Sequence, residues 1–267
     1  MLVSILMSVY NGEATLAAAM DSILGQTLRD FELIVCDDGS KDRTWEILCG
    51  CKERDSRVKL LQNEKNLGLG SSLNRCLEVA NGRYVARQDA DDVSAPNRLE
   101  RTLDYLRREG VPYAGCGVYV FDESGVWSRR MFPEHIDRHI IAQKNPFFHP
   151  TMLFQREVLE QAGGYRVTPQ TRRTEDYDLV MRLAAQGIIG QNLQEYLYYV
   201  NEPAQAYQRH TLKTRWYEVQ VRLYGLRQMR SPLRDYIYVG KPVLMSMVPH
   251  KLLRRVKRIQ WQDREKG

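Results

Sequence analysis

A short apolar run that ends in three carboxylates decides the fold, and it reads Tyr84-Val-Ala-Arg-Gln-Asp-Ala-Asp-Asp92. The run follows the turn-forming pair Asn81-Gly82, so it predicts a strand over 84–87 that stops at the acidic residues. Outward from this point, the first 110 residues repeat one unit, a short apolar strand followed by a helical pattern. This alternation predicts an α/β fold with right-handed crossovers and a mostly parallel sheet flanked by helices.

Three further strand–helix units are predicted upstream of the acidic run. The predicted strands cover 3–9, 31–36 and 58–61, and the predicted helices cover 14–26, 42–54 and 68–79. Another helix is predicted from Pro96 to Glu109. Ligands bind at the carboxyl ends of the strands in such sheets. We therefore expect the polar segments 10–13, 37–40 and 89–92 to meet in one crevice.

The pattern is less regular after residue 113. Two β-rich runs at 118–121 and 126–129 predict a hairpin, and helical spacing is found at 138–143, 155–162, 175–186 and 211–229. The sequence contains no internal repeat and no linker that would separate two independent domains.

Composition and charge exclude several classes of protein. The chain has 267 residues, 43% of them hydrophobic, which excludes an intrinsically disordered protein. Residues 250–267 carry seven basic and two acidic side chains, so this tail accounts for nearly all of the net charge of +6. The body is close to neutral, which argues against a nucleic-acid-binding face.

The apolar runs and the cysteines indicate the cellular setting. No apolar run approaches the roughly 20 residues that cross a bilayer, and the N-terminus lacks the basic region of a signal peptide. The five cysteines are odd in number and form no Cys-x-x-Cys pair. They fit neither a disulfide framework nor a zinc knuckle, so we expect a reducing cytosol.

The carboxylates of Asp89, Asp91 and Asp92 are the strongest chemical signal. Acidic groups this close repel one another unless a cation neutralises them, and Mg²⁺ or Mn²⁺ prefers oxygen ligands and can also bridge to a diphosphate. The alternative is a solvated acidic turn that caps the next helix. The position directly after the fourth alternating strand favours the metal site.

Two other acidic segments leave alternatives open. One carboxylate of Asp37-Asp38-Gly-Ser40 could accept the imide N–H of a pyrimidine, or the segment could be an Asx turn before the next helix. The cluster Thr174-Glu-Asp-Tyr-Asp178 could hold a general base, or its charges could complement a helix dipole. Neither a dinucleotide fingerprint nor a Walker loop is present, so a bound phosphate would depend on metal and side chains.

The order of these motifs resembles family 2 inverting glycosyltransferases with the GT-A (Rossmann-like) fold, of the kind that builds bacterial O-antigen, capsule or exopolysaccharide. The matching segments are Ser4–Asn11, Gln26-Thr27, Phe31–Ser40, Asn66–Gly68, Asn81–Tyr84, Asp89–Asp92, Phe148–Met152, Gly163–Tyr165 and Glu175–Gly187. The resemblance covers roughly residues 1–212 and is specific because the motifs occur in the family's order.

The resemblance implies a role for each matching residue. Ser8 and Tyr10 would line the nucleotide pocket, Asp38 would bind the uracil imide, and Asn66 would lie near the nucleotide. Asp89 would lie near the ribose and donor sugar, Asp91 would be the principal metal ligand, and Asp176 would be the catalytic base. Arg209 and His210 match a region that approaches the diphosphate or metal, whereas His149 is expected to order the acceptor-side loop.

The implied activity is inverting transfer of a hexose from UDP-glucose, UDP-galactose or a UDP-N-acetylhexosamine to a lipid-linked saccharide, with Mn²⁺ or Mg²⁺. The implied GT-A domain spans 1–212, with a nucleotide-binding half at 1–110 and an acceptor-binding half at 111–212. A helical extension follows at 213–267. The alternatives are a metal-dependent nucleotidyltransferase acting on sugar phosphates and a non-catalytic UDP-sugar-binding module.

The basic tail predicts a partner of its own. Leu252, Leu253, Val256 and Ile259 form an apolar stripe on a helix whose other faces are basic, and Trp261 follows. This pattern favours an interfacial anchor on an anionic leaflet. The alternative is a C-terminal helix that packs on the body. We therefore expect a cytoplasmic protein that is peripheral on the inner face of the plasma membrane. Its expected lipid-linked acceptor is a polyprenyl-diphosphate saccharide.

Overall fold

The computed structural model describes residues 1–202 and 212–246, and the strands form one sheet. In chain order they are β1 (Val3–Val9), β2 (Phe31–Asp37), β3 (Val58–Gln62), β4 (Tyr84–Arg87), β5 (Val93–Ser94), β6 (Tyr113–Asp122), β7 (Gly125–Arg130), β8 (Leu153–Gln155) and β9 (Gln191–Asn201).

Helices cover both faces of this sheet. They are α1 (Leu16–Leu24), α2 (Thr44–Arg54), α3 (Leu69–Glu78), α4 (Arg98–Glu109), α5 (Arg138–Gln143), α6 (Arg156–Gln161), α7 (Glu175–Ala185), α8 (Leu212–Gln228) and α9 (Lys241–Ser246), with 3₁₀ turns at His149–Thr151 and Leu233–Gly240. Within 1–202 and 212–246, none of these helices combines the length and apolarity needed to span a membrane.

The first four strands confirm the α/β prediction. The sheet order is β3-β2-β1-β4-β8-β6-β9-β5, with β7 paired to β6, and all pairings among β1 to β4 are parallel. Each of these strands is followed by a helix that returns the chain to the opposite edge of the sheet. The carboxyl ends of β1, β2 and β4 therefore meet at one edge, where the acidic and polar segments follow.

The second half of the sheet is mixed. The short strand β8 lies between β4 and β6 and is antiparallel to both, and the predicted hairpin of β6 and β7 is present. Strand β9 runs parallel to β6 and antiparallel to β5. Strands as short as β5 and β8, with two and three residues, pair through tertiary packing, so the alternation of strands and helices does not predict them.

Two apolar layers hold the sheet, one on each face. In β1, Ile5 and Met7 pack into the layer with α1 and α4, whereas Leu6 points into the layer with α3 and α7. Burial on both faces explains why the parallel strands are almost continuously apolar. Polar side chains are then concentrated where these strands end.

Candidate active site

The loops that follow β1 and β2 are joined to each other by hydrogen bonds. The backbone N–H of Asn11 donates to Ser40 Oγ at 2.9 Å, and the N–H of Lys41 donates to Asn11 Oδ1 at 2.8 Å. The N–H of Gly12 donates to Thr44 Oγ1 at 2.8 Å. Asn11 has a φ of 52°, a left-handed conformation that asparagine tolerates better than most residues. These bonds hold the two loops as one unit.

Asp38 directly follows β2, and its carboxylate accepts hydrogen bonds from other groups of the protein. It is 2% exposed, and it accepts hydrogen bonds from Asn63 Nδ2 at 2.7 Å and from the N–H groups of Leu67 and Gly68 at 2.8 Å each. The chain turns tightly beside it, because Gly39 has a φ of 75° and a Cβ there would lie 2.8 Å from the backbone of Lys65. Asp38 thus fixes the segment that follows β3.

A cleft of about 1000 Å³ opens at this edge of the sheet. Its first wall contains four residues to which the sequence assigns nucleotide binding, namely Ser8, Tyr10, Asp38 and Asn66, together with 67–71. Its second wall consists of residues from 166–175 and of Lys213, Thr214 and Tyr217 at the start of α8. The Tyr10 side chain is 48% exposed, so its ring is accessible at the cleft.

The three carboxylates after β4 form a cluster. One oxygen from each of Asp89, Asp91 and Asp92 lies within 4.8 Å of the others. Strand β9 supports the cluster, because the Asn201 N–H donates to Asp92 Oδ1 at 2.8 Å and the Asp89 N–H donates to Tyr198 Oη at 3.1 Å. Burial, and then the charges of Asp89 and Asp91, raise the pKa of Asp92 well above its usual range. A set of carboxylate oxygens that repel one another suits a hard divalent cation.

A buried arginine holds one member of this cluster. Arg87 is fully buried and donates from Nη1 to the carbonyls of Leu6 at 2.8 Å and Gln88 at 3.0 Å. Its Nη2 donates to the Asp89 carboxylate. Arg87 therefore fixes Asp89 to the end of β1, leaving Asp91 as the most exposed carboxylate of the three.

The predicted base lies at the first turn of α7. Asn145 Nδ2 donates to Asp176 Oδ2 at 2.8 Å, and burial raises the pKa of Asp176. The adjacent Glu175 is 8% exposed and lines the second wall of the cleft. Burial, and then the charge of Asp176, raise the pKa of Glu175 to about 7. Two adjacent carboxyl groups in the first turn of α7 thus have raised pKa values, and Glu175 is the one that lines the cleft.

Tyr165 connects the acidic cluster to α7. Its hydroxyl lies 2.8 Å from Nε2 of the buried His149. Burial raises the pKa of Tyr165, Arg87 opposes this shift, and the charges of Asp176, Glu175 and Asp89 add to it. One carboxylate after β4 and two at the start of α7 thus act electrostatically on the same buried hydroxyl. The contact with Tyr165 fits the ordering role expected for His149.

The structure also places residues to which the sequence assigned no role. Glu175 belongs to the acidic cluster that predicted the base, but its burial could not be derived from that pattern. Arg172, Arg173 and Lys213 line the second wall, and the adjacent arginines at 172–173 are a local signal of positive charge before the acidic run. Arg209 and His210 lie outside the described residues, as does the basic tail.

Comparison with known families gives two matches. The model of the family described as glycosyl transferase family 2 matches residues 4–163, and that of glycosyl transferase family group 2 matches residues 84–261.

Curated relatives and solved structures are similar over most of the chain. The putative glycosyltransferase EpsE of Bacillus subtilis (strain 168) is 38% identical over 267 residues, covering 99% of this chain and 96% of EpsE. The Escherichia coli UDP-Glc:alpha-D-GlcNAc-diphosphoundecaprenol beta-1,3-glucosyltransferase WfaP is 29% identical over 72% of this chain and 73% of its own. The crystal structure of Staphylococcus aureus TarS 1–349 in complex with UDP-GlcNAc superimposes with a TM-score of 0.70 at 18% identity, over 90% of this chain and 72% of that one.

Proposed function

The chain belongs to glycosyl transferase family 2, and from this premise we propose that it transfers a hexose from a UDP-sugar to a lipid-linked saccharide, with inversion at the anomeric carbon. The resemblance seen in the sequence is confirmed, and so is the GT-A fold. The proposed setting is the synthesis of bacterial surface polysaccharide. The observation that carries the proposal is one cleft that contains Ser8, Tyr10, Asp38 and Asn66 on one wall and Glu175 on the other.

The nucleotide would occupy the first wall. The accessible Tyr10 ring offers an aromatic face for the base, and Ser8 and Asn66 offer polar groups beside it. Asp38 accepts three hydrogen bonds from the protein, and a carboxylate has about four acceptor sites, so one site is left for a uracil imide. Because Asp38 and Gly39 are held rigidly, this wall needs little reorganisation on binding.

The transfer would depend on Asp176. This carboxylate removes the proton from an acceptor hydroxyl, and the hydroxyl oxygen then attacks the anomeric carbon from the face opposite UDP. The new C–O bond forms as the bond to the UDP oxygen breaks, so configuration inverts in one step. The hydrogen bond from Asn145 orients Asp176, and the raised pKa makes it a stronger base than an exposed aspartate.

The acidic cluster fits a divalent cation, with Asp91 as the principal ligand and Asp89 and Asp92 beside it. Bound Mn²⁺ or Mg²⁺ would supply positive charge for the departing diphosphate. Arg87 and Asn201 hold Asp89 and Asp92 in place, so the cluster is preorganised.

The names of similar proteins support the donor and acceptor classes. WfaP is named as acting with UDP-Glc on a diphosphoundecaprenol-linked sugar, and TarS was crystallised with UDP-GlcNAc. We therefore propose UDP-glucose, UDP-galactose or a UDP-N-acetylhexosamine as donor and a polyprenyl-diphosphate saccharide as acceptor.

A UDP-release screen tests this function. The full chain is incubated with Mn²⁺, each UDP-sugar and a bacterial lipid extract, and UDP is measured with and without the extract. We expect extract-dependent UDP release with one donor and none with Asp176→Asn. In a parallel reaction with UTP and a hexose 1-phosphate, release of pyrophosphate would identify a nucleotidyltransferase. Binding of a UDP-sugar without any release of UDP would identify a non-catalytic module.

We also propose that the protein works at the membrane surface. Seven basic residues lie in 250–267, outside the described residues, and Leu233 and Ile237 just upstream are 89% and 78% exposed. Apolar side chains beside a basic segment suit the interface of an anionic leaflet. Deleting 247–267 should lower co-sedimentation with anionic vesicles, and unchanged sedimentation would contradict the proposal.

A further inference from the structure

Three basic side chains on the second wall have no acidic partner among residues 1–202 and 212–246, and they line the cleft together with Glu175. We propose that Arg172, Arg173 and Lys213 form a subsite that binds a diphosphate independently of the acidic cluster. This inference rests on the proposed function, in which donor and acceptor both carry a diphosphate. It adds residues that neither the sequence nor the family match assigns.

The contrast with neighbouring arginines singles these three out. Arg166 and Arg182 both donate to the buried carboxylate of Asp178. Arg215 and Arg222 both pair with Glu218 in α8. Each of these arginines is held by a carboxylate of the protein and so serves the fold.

The described residues give the subsite no such pairing. Over 1–202 and 212–246, Arg172 and Arg173 make no ion pair, and Lys213 makes only a cation–π contact, with its Nζ 5.8 Å from the centre of the Tyr217 ring. All three line the cleft. An unpaired surface arginine is ordinary by itself, but three basic residues from two separate segments around one cleft make a concentrated positive wall.

The acidic groups of the same cleft do not cancel this charge. Asp38 is buried and turned toward its own hydrogen-bond donors on the first wall. The pKa of Glu175 is raised to about 7, so its carboxyl is only partly ionised at neutral pH. The second wall therefore keeps a net positive charge that an anionic ligand could balance.

The backbone that carries the arginines is well fixed. Thr171 Oγ1 donates to the Arg166 carbonyl at 2.6 Å, and the Thr174 N–H donates to the Thr171 carbonyl at 2.9 Å. Arg173 has a φ of 70°, so the chain bends sharply between Arg172 and Thr174. A fixed backbone lowers the entropy lost when these side chains bind a ligand.

Diphosphate is the anion that this charge fits best. Guanidinium groups donate to phosphate oxygens in pairs, and an ammonium group adds a point charge. A divalent cation at the acidic cluster would balance one diphosphate, so these basic groups remain for phosphate oxygens that the cation does not cover. Those oxygens could belong to the UDP-sugar or to the lipid-linked acceptor, and the experiment separates the two sources.

The test uses the full chain with Arg172→Gln, Arg173→Gln and Lys213→Gln combined, which removes the charges and leaves polar side chains in their place. Calorimetry in EDTA measures binding of UDP, uridine and inorganic pyrophosphate. Transfer assays measure KM for a polyprenyl-diphosphate acceptor and for the same saccharide as an alkyl glycoside. A control variant carries Arg29→Gln, Lys52→Gln and Arg227→Gln, three exposed basic residues away from the cleft.

We expect pyrophosphate binding in EDTA to weaken about tenfold in the subsite variant and to be unchanged in the control. A matching loss for UDP but not uridine assigns the subsite to the donor. A rise in KM for the diphosphate acceptor alone assigns it to the acceptor. Equal pyrophosphate affinity in wild type and variant overturns the inference. Because this arm needs no turnover, it is independent of the UDP-release screen that tests the proposed function.

Discussion

The two walls of the cleft differ in how their polar and charged side chains are held by the protein. On the first wall, polar groups form hydrogen bonds within the protein. Asp38 accepts three of them, and Asn11 joins two loops. On the second wall, Arg172 and Arg173 have no acidic partner within the part of the chain that the structure describes, and the pKa of Glu175 is raised. A wall whose polar groups are fixed by hydrogen bonds can hold a rigid ligand in one position. A wall with uncompensated charge is suited to binding ions and moving a proton.

The strongest test of this contrast is Asp176→Asn. Loss of the base should lower kcat by roughly 10²–10⁴-fold. The asparagine can still accept the hydrogen bond from Asn145, so the fold and UDP binding should be retained. Rapid-quench or UDP-release kinetics measure the loss, and calorimetry measures UDP affinity. Asp104→Asn, on the exposed face of α4, is the matched control. Near-normal turnover would remove Asp176 from the mechanism.

Asp91→Ala should affect binding rather than proton transfer. Removing the most exposed carboxylate of the cluster should weaken metal-dependent UDP binding by on the order of 100-fold, because charged ligands are lost. UDP affinity in EDTA should not change. Calorimetry with and without Mn²⁺ provides both values, with Asp21→Ala as an exposed control. An equal UDP affinity in the presence of Mn²⁺ for wild type and variant would exclude Asp91 as the principal ligand.

Asp38→Ala tests whether the first wall is structural. The substitution leaves the Asn63 amide and the N–H groups of Leu67 and Gly68 without their acceptor, so we expect a loss of about 3 kcal/mol in the free energy of unfolding. Urea denaturation measures it. Asp30→Ala, at an exposed site, should leave the free energy of unfolding almost unchanged. If Asp38→Ala lowered UDP affinity without changing stability, Asp38 would act on the ligand alone.

The first wall was largely predictable from the sequence, because apolar strands with polar ends imply one crevice. Ser8, Tyr10, Asp38 and Asn66 were assigned to it, and they line one cleft. The three hydrogen bonds to Asp38 were not predictable, since their donors come from residues about 25–30 positions later that a loop brings back.

The second wall was less predictable, for a physical reason. Burial raises the pKa of Glu175, and burial depends on how α7 packs against the rest of the fold. Arg172 and Arg173 resemble ordinary surface charges in the sequence, and only the fold shows that they line the cleft. Strand β8, with three residues, carries too little pattern to place it between β4 and β6.

The Glu175→Gln variant measures how much the ionised carboxylate on the second wall lowers the free energy of unfolding. The pKa of Glu175 is raised to about 7 in the folded protein, so the native state binds more protons than the unfolded state between its ordinary pKa and pH 7. Stability should therefore fall as pH rises through this window, by on the order of 3 kcal/mol when complete.

The Glu175→Gln variant lacks this titration. Compared with wild type, it should be more stable at pH 8, and the difference should be lost near pH 4.5. Thermal unfolding in EDTA at the two pH values checks this, with Glu157→Gln as an exposed control. A variant that gains the same stability at both pH values would show that the effect is packing rather than charge.

Tyr10→Ala should have the smallest effect on the free energy of unfolding. In this respect it should differ most clearly from Asp38→Ala. The Tyr10 ring is 48% exposed, so truncating it should leave stability within about 0.5 kcal/mol. If the ring stacks on the base, UDP and uridine should both bind roughly tenfold more weakly, while pyrophosphate binding should not change. Calorimetry with the three ligands makes the distinction, and Tyr10→Phe should restore binding because it keeps the aromatic face.

If the Tyr10 ring packed only against the protein, Tyr10→Ala would instead reduce stability and leave uridine affinity unchanged. The same three ligands thus separate a first wall that recognises the base from a second wall that recognises charge.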